Sequence, residues 1–212
     1  MFRSNILRPR LNVVHSNLRW FLSDAFKCTT EWQSRLTSPY LKQIKTDNLY
    51  QEIEQSFQQL GKTTAIDIDI FFNNFQCSDD GNINEISDVL HKLRLTEETS
   101  STLDSTSHAV IRHFVDMGHI TELINILDNR LIYGIFLDSY VTSYTLDYLI
   151  KKNDFTSAAK IAAQWVQQEE ELDNELTKSL AILACFRYFE NPDVFYPAHQ
   201  QLELQEKEVN MY

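Results

Sequence analysis

Between Leu131 and Glu171 two apolar stripes recur at helical spacing on either side of a polar break, Lys151-Lys152-Asn153-Asp154. In the first stripe Val141, Tyr144, Thr145 and Tyr148 share a face, with Leu149 beside them. In the second, Phe155, Ala158, Ala159, Ile161, Ala162 and Trp165 recur at three- and four-residue steps. This spacing predicts two amphipathic helices joined by a tight turn. The small residues Ala158, Ala159, Ala162 and Ala163 let another helix approach closely. A turn over Tyr133-Gly134-Ile135-Phe136-Leu137-Asp138 precedes the pair. A lone helix hairpin cannot bury its apolar face, so the pattern asks for neighbours of the same kind.

Those neighbours lie upstream. Gly118 stands thirty-five residues before Asn153, again between two helical patterns, and Phe114 and Ile126 correspond to Leu149 and Ile161. Gly81 repeats the arrangement thirty-seven residues earlier. The match is literal over Gly81-Asn82-Ile83-Asn84-Glu85-Ile86 with Val89-Leu90, and Gly118-His119-Ile120-Thr121-Glu122-Leu123 with Ile126-Leu127. A period near thirty-five residues is that of tetratricopeptide or pentatricopeptide repeats. The expected fold is all-α, a right-handed solenoid of antiparallel helix hairpins.

Elsewhere the pattern is less regular. Cys28 to Leu60 reads as helix, with a break or cap at Thr46-Asp47-Asn48. In Ala65 to Phe75, Ile66, Ile68 and Ile70 alternate with Asp67 and Asp69 as in a strand, but the repeat register demands a helix. Leu95 to Ser107 reads as a polar loop between repeats, with Asp104 or Ser105 capping the next helix. Glu175 to Glu190 reads as a further helix, with Leu176, Leu180, Leu183, Ala184 and Tyr188 on one side, ended by Asn191-Pro192.

Composition narrows the class. Four glycines and four prolines in 212 residues argue against an all-β fold. No apolar run approaches the ~20 residues that a membrane-spanning helix needs. Cys28, Cys77 and Cys185 are too far apart in sequence for a metal-ligand motif, and buried, inert thiols in a reducing compartment are expected. The first residues hold Arg3, Arg8, Arg10 and Arg19 and no acid before Asp24. That Arg-rich, acid-free start has the composition of a mitochondrial transit peptide, with cleavage expected near Phe21 or Leu22. Residues 1–22 are therefore read as the presequence, 23–192 as the helical-repeat domain and 193–212 as a polar tail. The formal charge of −11 becomes −15 without Met1 to Phe21.

Several fragments resemble catalytic or ligand motifs and fail on chemistry. Gly61-Lys62-Thr63 could end a phosphate loop, but Ser56 stands where the first glycine is needed and no strand precedes it. Asp80-Gly81-Asn82-Ile83 could centre a calcium loop, but Gln76 and Ser87 replace the terminal carboxylates. Asp67 and Asp69 diverge on a helix, and His119 with Glu122 is too small a set to hold zinc. No nucleophile–base spacing is present. A non-enzyme without metal or cofactor is expected, and Trp32 and Trp165 read as packing residues.

One resemblance joins these parts. Tyr133-Gly134-Ile135-Phe136, Asp138, Ile150-Lys151-Lys152-Asn153 and Gln168-Glu169 resemble the central repeat of the mitochondrial small ribosomal subunit protein twenty-seven family, a pentatricopeptide-repeat-related group. Arg19-Trp20-Phe21-Leu22-Ser23-Asp24-Ala25-Phe26 is similar to that family's presequence junction, and Trp32 fits as well. The similarity runs in order from about Arg19 to Pro192. The family is longer, so the chain is expected to represent its N-terminal half.

The resemblance implies a non-catalytic component of the mitochondrial small ribosomal subunit in the matrix. Its implied partners are the small-subunit ribosomal RNA and neighbouring mitochondrial ribosomal proteins, with no membrane and no small-molecule substrate. The alternative is a free mitochondrial repeat protein for RNA processing or stability. RNA contact needs Lys or Arg against phosphate, and the net charge opposes it, so a local basic face is required. The candidates are Lys151 and Lys152 at the hairpin turn, Lys92 and Arg94 at a helix end, and Lys42 and Lys45 near an N-terminal turn. The base-reading position of pentatricopeptide repeats falls at Ser143 and His108, and at Phe71 in the first unit. Because Phe71 departs from a small polar residue, shape and backbone contact are expected instead of a one-repeat-one-base code.

Overall fold

The chain's computed structural model describes residues 22–39, 41–43, 49–74, 82–168 and 173–190, and of Lys42 and residues 82–84 the backbone alone. The presequence reading up to Phe21, the break at Thr46-Asp47-Asn48, Gly81, Cys77, Lys45 and the tail from 193 lie outside these residues.

Among the described residues the elements are helices, with no strand. They are α1 (Thr29–Ser34), α2 (Leu49–Leu60), α3 (Ala65–Asn74), α4 (Asn82–Arg94), α5 (Asp104–Met117), α6 (Ile120–Asp128), α7 (Arg130–Tyr133), α8 (Ser139–Lys152), α9 (Phe155–Gln168) and α10 (Glu175–Glu190). Short 3-10 turns flank α1 and precede α5. The ambiguous stretch after Ala65 is helical, as the repeat register requires. Its Ile68, Phe71 and Phe72 face inward while Ile66 stays 64% exposed.

Four helix starts are capped by a side chain. The Asp138 carboxylate accepts from the Val141 amide at 2.7 Å and caps α8. Asp154 accepts from Ser157 N–H at 3.1 Å before α9, and Asn174 from Thr177 N–H at 3.1 Å before α10. Thr64 Oγ1 accepts from Asp67 N–H at 3.1 Å before α3. These bonds satisfy amides that the first helical turn leaves without intrahelical partners. The expected cap of α5 is corrected. Leu103 occupies the position and makes no side-chain bond, Asp104 opens the helix, and Ser105 donates its hydroxyl to Asp69 at 2.7 Å. Asp69 also accepts from Thr106 at 2.8 Å, so this carboxylate ties α3 to α5.

Helices pair with chain neighbours, α3 with α4, α5 with α6 and α8 with α9. The first helices also touch in sequence, α3 with α5, α5 with α8 and α8 with α10, and α6 lies against α9. Several polar links keep a similar interval. Tyr50 donates to Asp88, Arg94 Nε to the Leu131 carbonyl, and Thr177 to the Ser139 carbonyl, with sequence separations of 38, 37 and 38. Ser143 and Thr177, 34 apart, share a hydrogen bond of 2.9 Å. The core runs through these contacts, with Phe72, Ile86, Phe114, Leu127, Leu146, Ile161 and Leu180 at most 1% exposed.

The helix read from Cys28 up to the break or cap at Thr46-Asp47-Asn48 is corrected to short pieces. Cys28 adopts φ +44°, which breaks the chain before α1, and 3-10 turns follow at Arg35–Thr37 and Leu41–Gln43. Cys28 is also exposed rather than buried. The segment lacks a continuous apolar stripe, and it packs through individual side chains.

Candidate functional site

The N-terminal segment is held on the helical body by a buried cation. Arg112, on α5, is 2% exposed. Its Nη2 donates to the Lys27 carbonyl, and its Nη1 to the Tyr140 hydroxyl at 3.4 Å. Tyr140 donates onward to the Phe26 carbonyl at 3.1 Å, and its ring stacks on Phe26 with centroids 5.1 Å apart. The guanidinium lies 4.8 Å from the Trp32 ring centre and 5.0 Å from that of Tyr144. Arg35 covers Trp32 at 3.4 Å, and the rings of His108 and His113 approach it at 5.7 and 5.4 Å. A planar guanidinium suits this role because its faces take aromatic rings while its edges donate.

The clamp creates a cleft. With Lys27 and Thr29 fixed beside α5 and α8, a cavity of about 560 Å³ opens between them, lined also by Asp116, Tyr144, Asp147, Tyr148, Lys151 and Lys152. The sequence-predicted pair Lys151 and Lys152 therefore meets a third lysine from the N-terminal segment. Lys151 pairs with the buried Asp147 carboxylate at 2.6 Å. Lys152 is exposed, and its ammonium lies 5.8 Å from the Tyr148 ring centre. Among the described residues no carboxylate lies within ion-pair distance of Lys152. Lys27 pairs at 3.3 Å with Asp24, whose side chain is 96% exposed, a contact that solvent screens strongly. Tyr144 donates to Asp116, and burial first, then that carboxylate, holds its phenol well above the usual range.

The other predicted residues are placed differently. Lys92 is enclosed by Glu54 and Asp88, and its side chain is 12% exposed. Burial lowers its affinity for a proton, but the two carboxylates outweigh that together and hold its pKa raised. Arg94 bonds the Leu131 carbonyl at 2.8 Å and the Thr99 hydroxyl at 3.1 Å, which fixes α4 to α7. Ser143 is 1% exposed and bonded to Thr177, so it faces α10 and not solvent. His108 packs between Trp32 and Tyr140, and burial lowers its pKa. The two proposed base-reading side chains thus serve inter-helix packing. Lys42's side chain and Lys45 fall outside the described residues. Phe71 is buried.

Lys27 and Tyr148 were not singled out as contact residues from sequence. Nothing in the periodicity connects Lys27 with Lys151, because the Arg112 clamp that joins them is formed by tertiary contact. Tyr148 reads as an apolar stripe residue, yet it is half-buried with its hydroxyl beside the Gly118 turn.

Among the described residues no group of three or more His, Cys, Asp or Glu side chains could hold a metal ion, and no helix is long and apolar enough to cross a membrane. His119 and Glu122 form a 3.7 Å contact on one helix face. Compared with known protein families, residues 1–211 match the model described as Mitochondrial 28S ribosomal protein S27.

Proposed function

We propose, from the premise that this chain belongs to the mitochondrial 28S ribosomal protein S27 family, that it meets ribosomal RNA through the cleft of Lys27, Lys151 and Lys152. Membership makes it a component of the mitochondrial small ribosomal subunit and a protein of the mitochondrial matrix. In our reading the role is architectural and not catalytic. The hairpins stack as a right-handed, pentatricopeptide-like solenoid, whose acidic surfaces face neighbouring proteins. The free RNA-processing alternative is not favoured by this family.

The observation that carries the RNA assignment is the convergence of three lysines on one cleft in a chain of formal charge −11. Phosphate contact requires local positive charge, because the overall field repels RNA. Lys152 and Lys27 supply that charge at the rim, while Lys151 is largely neutralised by Asp147.

This difference determines the test. Lys151→Glu would place a carboxylate against Asp147 and disturb α8, so it confuses unfolding with lost contact. Lys152→Glu combined with Lys27→Gln leaves the Asp147 pair intact. The expected outcome is weaker cosedimentation of the full chain with the small subunit, with an unchanged melting temperature. Unchanged cosedimentation across a salt titration would remove the cleft from the RNA-facing surface.

A further inference from the structure

We propose that the lysine cleft accepts a single unpaired ribonucleotide, its base against Tyr148 and its phosphate between Lys27 and Lys152. This rests on the reading of the cleft as an RNA contact and specifies what enters it.

Three observations carry the inference. The first is shape. A contact with duplex backbone needs only a ridge of cations, whereas this surface is a cavity of about 560 Å³, within the range of small-molecule sites. The second is the wall. Tyr144 and Tyr148 both line it, and Tyr148 is half-buried with Lys152 Nζ 5.8 Å from its ring centre. Its hydroxyl end lies beside Gly118, where an added Cβ would come within 3.7 Å, so the tip of the side chain rests against the α5–α6 turn. An aromatic face beside a cation is the arrangement on which unpaired bases stack.

The third is the distribution of charge. Asp116 and Asp147 are in the same lining as the three lysines. Carboxylates repel phosphate but accept from the N–H groups of a base. Asp116 takes the Tyr144 hydroxyl on Oδ1, and Asp147 takes Lys151 on Oδ2. Each carboxylate oxygen has more than one lone pair, so acceptor capacity remains. A bare phosphate would meet attraction and repulsion together. A nucleotide separates them, with phosphate at the lysine rim and base at the Tyr–Asp wall.

The test uses the full chain and three RNA duplexes of identical sequence. One carries a single unpaired nucleotide, one an abasic residue at that position, and one is fully paired. The unpaired nucleotide should raise affinity over the abasic duplex at least about fivefold, the low end of one base–aromatic stack. Tyr148→Leu should bring that ratio to one, and Tyr148→Phe should retain it. Equal binding of the unpaired and abasic duplexes by the wild-type chain overturns the nucleotide slot. A preference that survives Tyr148→Leu overturns its location. If Lys152→Glu still weakens both duplexes, the lysine contact stands without the slot. If no duplex binds, or Lys152→Glu weakens neither, the RNA reading of the cleft falls with it.

Discussion

Gly118 and Asn153 occupy the same left-handed position at the ends of α5 and α8, at φ +80° and +59°. The amide after each closes the same ring, His119 N–H to the Phe114 carbonyl at 2.9 Å and Asp154 N–H to the Leu149 carbonyl at 3.0 Å. A residue with a Cβ is disfavoured there, and glycine relieves it. Gly118→Ala should therefore destabilise by roughly 1 kcal/mol. The cost is conformational, since the new Cβ would meet Tyr148 at an ordinary 3.7 Å. Asn153→Gly should be neutral or stabilise by a few tenths of a kcal/mol, roughly. Thermal denaturation of the two variants checks both signs.

His113 should make the fold sensitive to acid. Its Nε2 donates to the Phe72 carbonyl at 2.8 Å, and burial pulls its pKa down to about 4. The unfolded chain, with the ordinary value of 6.5, binds the proton first as pH falls. Stability contributed by the neutral ring is thus present above about 6.5 and is lost as pH falls through the window to about 4. The loss approaches roughly 3 kcal/mol at its acid end. Denaturant unfolding of His113→Gln against the native chain between pH 7 and 4 measures it, and the native chain should show the steeper fall.

Lys92 tests whether an enclosed lysine serves stability rather than association. It ties Glu54 of α2 to Asp88 of α4 and is mostly enclosed. Lys92→Gln should lower stability by roughly 1–2 kcal/mol, the scale of losing charge-assisted bonds at a partly buried site. It should leave association with the small subunit unchanged once folding is restored at lower temperature. A selective loss of association without loss of stability would return Lys92 to the RNA-facing set.

Arg112 should govern the N-terminal segment. Arg112→Met removes the donors to Lys27 and Tyr140 and leaves the Asp116 carboxylate without its guanidinium neighbour, 3.8 Å away. Losing these donors at a buried site costs roughly 1–3 kcal/mol. Limited proteolysis should then cut the chain between residues 22 and 43 at a rate well above that of the native protein.

For a chain processed as the presequence reading expects, Leu22 bears on the cleavage point. It is 5% exposed and belongs to the hydrophobic core. The presequence boundary read at residue 22 would remove a core side chain, whereas a cut before Leu22 would retain it. N-terminal sequencing of the matrix form should place the first residue at or before Leu22. A start at Ser23 would show that the segment folds without it.

The helices and their tight turns were legible because their spacing is written in apolar residues. The bounds of α10 follow from its pattern, and Asn153 and Gly118 mark their turns by chemistry. What the pattern could not show is buried polarity. On α8, Thr142, Ser143, Thr145 and Asp147 are all buried. Thr142 and Thr145 bond backbone carbonyls one turn back, Ser143 bonds Thr177, and Asp147 holds Lys151. A polar letter there looks solvent-facing, and so Ser143 reads as available to a base. Lys92 was misleading for the matching reason, since Glu54 lies 38 residues away in sequence. Half of the cleft was legible in Lys151-Lys152, but Lys27 arrives only through the Arg112 clamp.

The interval of 34 to 38 residues between bonded side chains also sets an order of assembly. A chain threaded into a compartment from its N-terminus needs about one further unit before each hairpin finds its lateral partner, and it need not wait for the far end. Such short-range closures are fast and keep apolar faces covered during entry. The N-terminal segment is the exception. Lys27 awaits Arg112 across 85 residues, and Phe26 awaits Tyr140 across 114. In a chain that folds as it enters, the N-terminal segment would dock only after Arg112 and Tyr140 are in place, and the lysine cleft would be completed with it.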